Sequence, residues 1–155
     1  MAAISLRGLP IAVALAVLVA PVRDAGADTV PRALKGKIIT SNKPIDIPTS
    51  ARSFVQKLKK QDRKVIRKTE GVWNIHFVAF FKRPCPTNEI GIVVLDKKNE
   101  AVAVAKVGGQ NGQKTLASQI TVEATEFPAT PHLLRIYYPK GNKPVTLAEK
   151  KIVLK

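Results

Sequence analysis

Basic side chains are concentrated in the segment Arg52–Lys68, which holds eight Lys or Arg residues and one acid, Asp62. Such a density of cations favours anion binding, because each Lys or Arg near an anionic surface contributes on the order of 1 kcal/mol. The alternative is a solvated face whose lysines protect a sheet edge from unwanted strand pairing. The candidate anion-binding residues are Arg52, Lys57, Lys60, Arg63, Lys64, Arg67 and Lys68.

Residue types that serve metal and catalytic sites occur without the spacing that such sites need. His76 and His132 lie more than 50 positions apart and have no third ligand nearby in sequence. Asp96 and Glu100 flank a predicted hairpin turn, and Ser118 lacks the Gly-x-Ser-x-Gly context of a serine hydrolase. We therefore expect no metal, no cofactor and no enzymatic activity, and a hydrolase of unknown substrate is the less favoured alternative.

The single cysteine, Cys85, stands between Pro84 and Pro86. Because it has no second cysteine to pair with, an internal disulfide is excluded. The flanking prolines favour a loop in which Cys85 is a half-buried apolar residue. An intermolecular disulfide or a reactive thiol is the alternative.

The first 27 residues have the organisation of an export signal. Arg7 charges a short n-region, Leu9–Ala20 is an apolar run of 12 residues, and Ala25–Ala27 supplies small residues for cleavage. A membrane-spanning helix needs about 20 apolar residues, so this run is too short to be an anchor. We expect cleavage before Asp28, no transmembrane segment in the mature chain, and a location in the periplasm, on the outer membrane surface or outside the cell.

The charge of the chain indicates the kind of partner. Its formal net charge is +15, and after removal of residues 1–27 the remaining 128 residues carry 24 basic and 10 acidic side chains, a charge of +14. A field of this strength attracts polyanions. Outside the cytoplasm these are lipopolysaccharide, acidic polysaccharides and phospholipid head groups. Nucleic acid is the expected partner only if the leader is retained.

One helix is predicted, close to the N-terminus. Thr49–Ser50 supplies N-cap residues, and Phe54 and Leu58 fall on one face of a helix over Ala51–Gln61. Its apolar stripe is narrow, so the helix should lie on the surface of another layer. An edge strand is expected before it, at Lys35–Thr40.

After the helix the hydrophobic period changes to two, which is typical of strands. The strongest strand is Val72–Phe81, with Trp73 as the core aromatic. The other strands are predicted at Lys64–Lys68, Glu89–Asp96, Ala101–Val107, Leu116–Ala124, Leu133–Tyr138 and Val145–Leu154. Corners or turns are expected at Pro128–Pro131 and Pro139–Pro144. This spacing predicts an all-β chain, an immunoglobulin- or fibronectin-like antiparallel β-sandwich of about seven or eight strands with one short surface helix, in a single domain over residues 28–155.

Three stretches together resemble a group of small exported proteins predicted from myxobacterial genomes. They are Gly36–Ile39, the lysine-rich Phe54–Gln61 and the Trp-led Trp73–Pro84. The resemblance implies an envelope or extracellular location and a mostly β fold. No activity is assigned to that group, so the resemblance implies no functional residues.

These features together predict an exported, non-enzymatic protein that docks through its basic face on an anionic polymer, a membrane surface or a protein partner of the envelope. The alternative is a structural subunit of an envelope assembly, which would use a sheet edge or an apolar patch and would not bind anions in a salt-dependent way.

Overall fold

The computed structural model describes residues 30–123 and 130–155. The predicted leader lies outside these residues, as does the first half of the corner predicted at Pro128–Pro131, whereas Thr130 and Pro131 belong to a strand. A 3-10 turn at Ala51–Ser53 precedes the helix α1, Phe54–Gln61. The strands are β1 Ile38–Ser41, β2 Val65–Ile66, β3 Val72–Cys85, β4 Glu89–Leu95, β5 Ala101–Gly108, β6 Gln113–Glu123, β7 Thr130–Lys140 and β8 Lys143–Leu154.

The strands form two sheets. One has the order β1-β3-β6, and the other has the order β2-β8-β7-β4-β5. Neighbours are antiparallel except β2, which runs parallel to β8. The first two strands belong to different sheets, because β1 pairs with β3 and β2 pairs with β8. The predicted β-sandwich with one short helix is therefore confirmed.

The main core lies between the sheets and depends on the alternation of β3. Trp73, Ile75 and Phe77 point inward and are at most 3 % exposed. The indole Nε1 of Trp73 donates a hydrogen bond to the carbonyl oxygen of Lys155 at 3.1 Å. This bond satisfies the polar atom of an otherwise apolar ring, and the prediction of Trp73 as a core aromatic is confirmed.

A second, smaller core covers the outer face of the three-stranded sheet. Leu58 of α1 is fully buried there against Val78 and Phe80, which point outward from β3. The rings of Phe54 and Phe80 meet edge to face with centroids 6.1 Å apart. Because both faces of β3 are covered, its sequence is apolar on both sides. The helix therefore lies on a surface, as its narrow apolar stripe predicts.

Four strands extend clearly beyond their predicted limits. Two of them are β6, which begins at Gln113, and β7, which spans Thr130–Lys140. β3 continues through Pro84 to Cys85, and its pairing with β6 is interrupted between Phe80 and Cys85. Proline is tolerated there because that stretch makes no ladder bonds to β6. Cys85 is fully buried in the strand, not half-buried in a loop. β8 begins at Lys143, so the predicted Pro139–Pro144 turn is a tighter hairpin.

Candidate anion-binding surface

The basic segment Arg52–Lys68 crosses from one sheet of the sandwich to the other. Its helix α1 packs on the three-stranded sheet, whereas its strand β2 pairs with β8 in the five-stranded sheet. The two elements therefore belong to different layers, and the candidate residues are divided between them. All seven candidate residues are exposed along this path.

The one acid of the basic segment is paired internally. Asp62 Oδ1 accepts a hydrogen bond from the backbone N–H of Thr40 at 3.0 Å and forms an ion pair with Lys150 Nζ. Lys150 Nζ also donates to Thr40 Oγ1 at 2.7 Å. Burial lowers the pKa of Lys150, while Asp62 acts in the opposite direction. The negative charge of Asp62 is thus offset by a cation from β8.

Hydrogen bonds hold the backbone of the segment after the helix. Arg63 N–H donates to the Thr40 carbonyl at 2.7 Å, and Thr40 Oγ1 donates back to the Arg63 carbonyl. Asn42 Nδ2 donates to the carbonyl of Arg67 at 2.9 Å. The bonds tie the segment to β1 and to the residues that follow β1. These hydrogen bonds fix the backbone that carries the basic side chains.

Two surface depressions lie along this path. The first, which we call the helix depression, has a volume of about 400 Å³ and is lined by Asp46, Ile47, Pro48, Thr49, Lys57, Lys60 and Gln61. The second, the arginine depression, has a volume of about 620 Å³ and is lined by Ser41, Asn42, Lys43, Asp62, Arg63, Lys64, Val65 and Arg67. They adjoin along the chain, since the first includes Gln61 and the second includes Asp62.

Five of the seven candidate residues line these depressions, and two do not. Arg52 lies in the 3-10 turn before the helix. Lys68 lies past β2, with Nζ 4.8 Å from the centre of the Trp73 ring, a cation–π distance. Lys43 lines the arginine depression but was not a candidate, because it lies outside the lysine-rich run. Lys43 lies near Arg63, Lys64 and Arg67 because of the path that the chain takes after β1.

Arg63 has a fixed guanidinium group. Its Nη1 donates to the carbonyl oxygens of Lys60 at 2.9 Å and Asp62 at 3.0 Å. Both carbonyls lie at the end of the helix, where backbone acceptors lack intrahelical partners. The Nε and Nη2 atoms of Arg63 donate no hydrogen bond to the described residues. The edge of the guanidinium formed by these two atoms is therefore open to a ligand.

The histidines lie apart from one another. His76 is on the outer face of the three-stranded sheet, opposite Ser41 and Gln119, and burial lowers its pKa. His132 is buried on β7. In residues 30–123 and 130–155, no group of three His, Cys, Asp or Glu residues is placed to hold a metal ion. Within the same ranges, the helix is too short and too polar to cross a membrane.

No protein-family model matches the chain, and no curated protein matches it in sequence. The resemblance to the myxobacterial group therefore stays a prediction. Among solved structures, the chain is similar to CopC from Methylosinus trichosporium OB3b, with 13 % identity over 59 % of this chain and 82 % of CopC, at a TM-score of 0.32.

It is also similar to part of a β-glucuronidase from Bifidobacterium dentium complexed with coumarin-3-O-glucuronide. The identity is 12 % over 76 % of this chain, and the TM-score is 0.41. The chain corresponds to only 16 % of that enzyme. At these scores neither similarity establishes a relationship or a function, and the β-sandwich is established by the strand pairing itself.

Proposed function

We propose that the protein is exported and binds an anionic component of the cell envelope, without catalysing a reaction. The helix and arginine depressions form the binding surface. The observation that supports this most directly is the pairing of Asp62 with Lys150, which offsets the only acid in a run of eight cations.

The six cations that line the depressions are Lys43, Lys57, Lys60, Arg63, Lys64 and Arg67. None of them forms an ion pair with an acid among the described residues, where the three ion pairs involve Lys106, Arg135 and Lys150. Unpaired surface cations contribute little to folding, but their attractions to a polyanion add together. These side chains therefore contribute little to the stability of the fold, and anion binding gives them a role.

Export supports the choice of an envelope component over nucleic acid. We expect cleavage after Ala27, because Ala25 and Ala27 are the small residues best placed behind the apolar run. Mass spectrometry of protein purified from its own host tests this step. A mature protein that retains Met1 would shift the proposed partner to nucleic acid.

Vesicle binding tests the proposed surface. Vesicles of phosphatidylcholine containing phosphatidylglycerol should sediment the wild-type protein at low salt, and the triple variant Lys57→Gln, Lys60→Gln and Lys64→Gln should sediment less. The matched control carries Lys97→Gln, Lys98→Gln and Lys143→Gln, three exposed lysines in hairpins away from the segment. Equal sedimentation of the two triple variants would contradict the assignment of the surface.

A second candidate function is membership in an envelope assembly, and the free edge of β5 favours it. β5 ends the five-stranded sheet, and Val104 on it is 43 % exposed. Its one charged residue, Lys106, pairs with Glu89 at 3.2 Å, which weakens the usual protection of an edge by lysine. An edge strand of another envelope protein is the partner that such an edge fits. Val104→Lys should then abolish assembly in envelope extracts without affecting vesicle binding.

A further inference from the structure

We propose that the arginine depression recognises phosphomonoester groups in preference to carboxylates. This inference rests on the proposed function and names the ligand chemistry of one of its two depressions. It is carried by the fixed guanidinium of Arg63 and by the cations that surround it.

The open edge of Arg63 has the geometry of a two-pronged donor. With both Nη1 hydrogens directed to the Lys60 and Asp62 carbonyls, Nε–H and one Nη2–H point the same way from a planar group. Such a pair of parallel donors binds two oxygens of an oxyanion at once. Because the guanidinium is already held, binding loses little side-chain entropy.

The number of cations distinguishes phosphate from carboxylate. A carboxylate has two oxygens in one plane, and the Arg63 edge alone satisfies both. A phosphomonoester has three terminal oxygens and a charge of about −1.5 to −2 near neutral pH. Lys43, Lys64 and Arg67 line the same depression, so they are available to the oxygens and the charge that Arg63 leaves unmatched.

Asp62 also lines the depression, and its carboxylate is the group most opposed to an anion. Its charge is offset by Lys150, and its Oδ1 already accepts the Thr40 N–H. The repulsion between the Asp62 carboxylate and a bound anion is therefore reduced at short range. The hydrogen bonds from Thr40 to Arg63 and from Asn42 to Arg67 hold the base of the depression, so no backbone ordering is required on binding.

The test compares surfaces of equal charge and different chemistry. Phosphatidylcholine vesicles containing phosphatidic acid present phosphomonoesters, and vesicles containing oleate, matched to them in electrophoretic mobility, present carboxylates. We expect wild-type protein to bind the phosphatidic acid vesicles about tenfold more tightly, a difference of about 1.4 kcal/mol. In a second arm, inorganic phosphate is titrated into the protein by calorimetry, with acetate at the same ionic strength as its control.

Charge-conserving variants assign the preference to the guanidinium groups. Arg63→Lys should reduce the tenfold preference to near unity, because a lysine cannot hold a phosphate by two oxygens and so present the third oxygen to Lys43, Lys64 and Arg67. Arg67→Lys should reduce the preference in part, and Arg52→Lys, outside both depressions, should leave it unchanged. Thermal denaturation of each variant checks folding. If Arg63→Lys proves unstable, Arg67→Lys still tests the proposal through the partial loss of preference, because the Arg67 side chain forms no hydrogen bond with the described residues.

The outcomes separate this proposal from the function on which it rests. A preference that depends on the arginines in the vesicle arm alone supports a lipid head group as the source, and a preference in both arms supports the phosphate group itself. Equal wild-type binding to the two kinds of vesicle, with no preference for inorganic phosphate, overturns the phosphate proposal but leaves anion binding intact. Absence of binding to either surface overturns both.

Discussion

Individual residues at the core and at the surface of this sandwich have different roles. Trp73 is only 3 % exposed, and its indole N–H is bonded to the last residue of the chain. Asp62 and Lys150 form a polar contact between β8 and the basic segment. Trp73 stabilises the fold, and the pair of Asp62 and Lys150 holds the candidate site in place.

Replacement of Trp73 by Ala should cost roughly 3 to 5 kcal/mol in the free energy of unfolding, because it leaves a large cavity between the sheets. Denaturant unfolding measures this loss. Trp73→Phe, which keeps most of the apolar volume, serves as the control and should cost less. A native fluorescence emission already at the wavelength of the unfolded protein would show an exposed ring and contradict the assigned burial.

His76 should make stability depend on pH. Burial lowers its pKa below the ordinary value of 6.5, so between the two values the unfolded chain binds more protons than the folded one. The free energy of unfolding should therefore rise with pH through this window and level off above about 6.5. Unfolding curves across the window should show this rise, and His76→Gln should flatten it. A folded-state pKa at or above 6.5 by NMR titration would contradict the prediction.

The residues of the candidate anion-binding surface were only partly predictable from the sequence. Lys57, Lys60, Arg63, Lys64 and Arg67 were predicted because they are close together in sequence. Lys43 and Lys150 were not, since they reach the same region through strand pairing, and Lys150 is 88 positions from Asp62. Nothing in the local pattern distinguishes them from other surface lysines.

Among the elements, α1 links the fold to the candidate site. Its apolar face is buried on the three-stranded sheet, while Lys57 and Lys60 on its other side line the helix depression. The attachment of the helix depends strongly on Leu58, which is fully buried.

Leu58→Ala should destabilise the protein by about 2 to 4 kcal/mol, because the small outer core loses its central side chain. Unfolding measurements test this, with Gln56→Ala on the exposed face as the control, for which we expect a change within about 0.5 kcal/mol. Equal effects of the two substitutions would contradict the packing of the helix.

Local patterns predicted the elements better than their arrangement. The helix was predicted at Ala51–Gln61 from its period and its caps. It ends at Gln61, but the α-helix begins only at Phe54, and neither Ser50 nor Ser53 caps it with a side-chain hydrogen bond. An edge strand before the helix was also predicted, and β1 lies at the edge of the three-stranded sheet. The parallel pairing of β2 with β8 was not, because β2 has only two paired residues, and its partner is chosen by the burial of Ile66 between the sheets.

In the whole molecule, the side chains that stabilise the fold and the side chains that form the candidate anion-binding surface lie in different places. The core between the sheets is apolar, and the cations of the basic segment lie at the surface. The cations that line the two depressions occupy the region where the chain crosses between layers. An anionic partner bound there would contact both sheets through one continuous segment.

Salt-gradient elution from a heparin-like polyanion matrix tests the central claim most directly, because screening weakens such binding in proportion to the charges involved. The account predicts that wild-type protein elutes at clearly higher salt than the Lys57→Gln, Lys60→Gln, Lys64→Gln variant. The control variant altered at Lys97, Lys98 and Lys143 should elute close to wild type, with equal thermal stability in all three. Co-elution of the two variants, or failure of the wild type to bind at low salt, would contradict it.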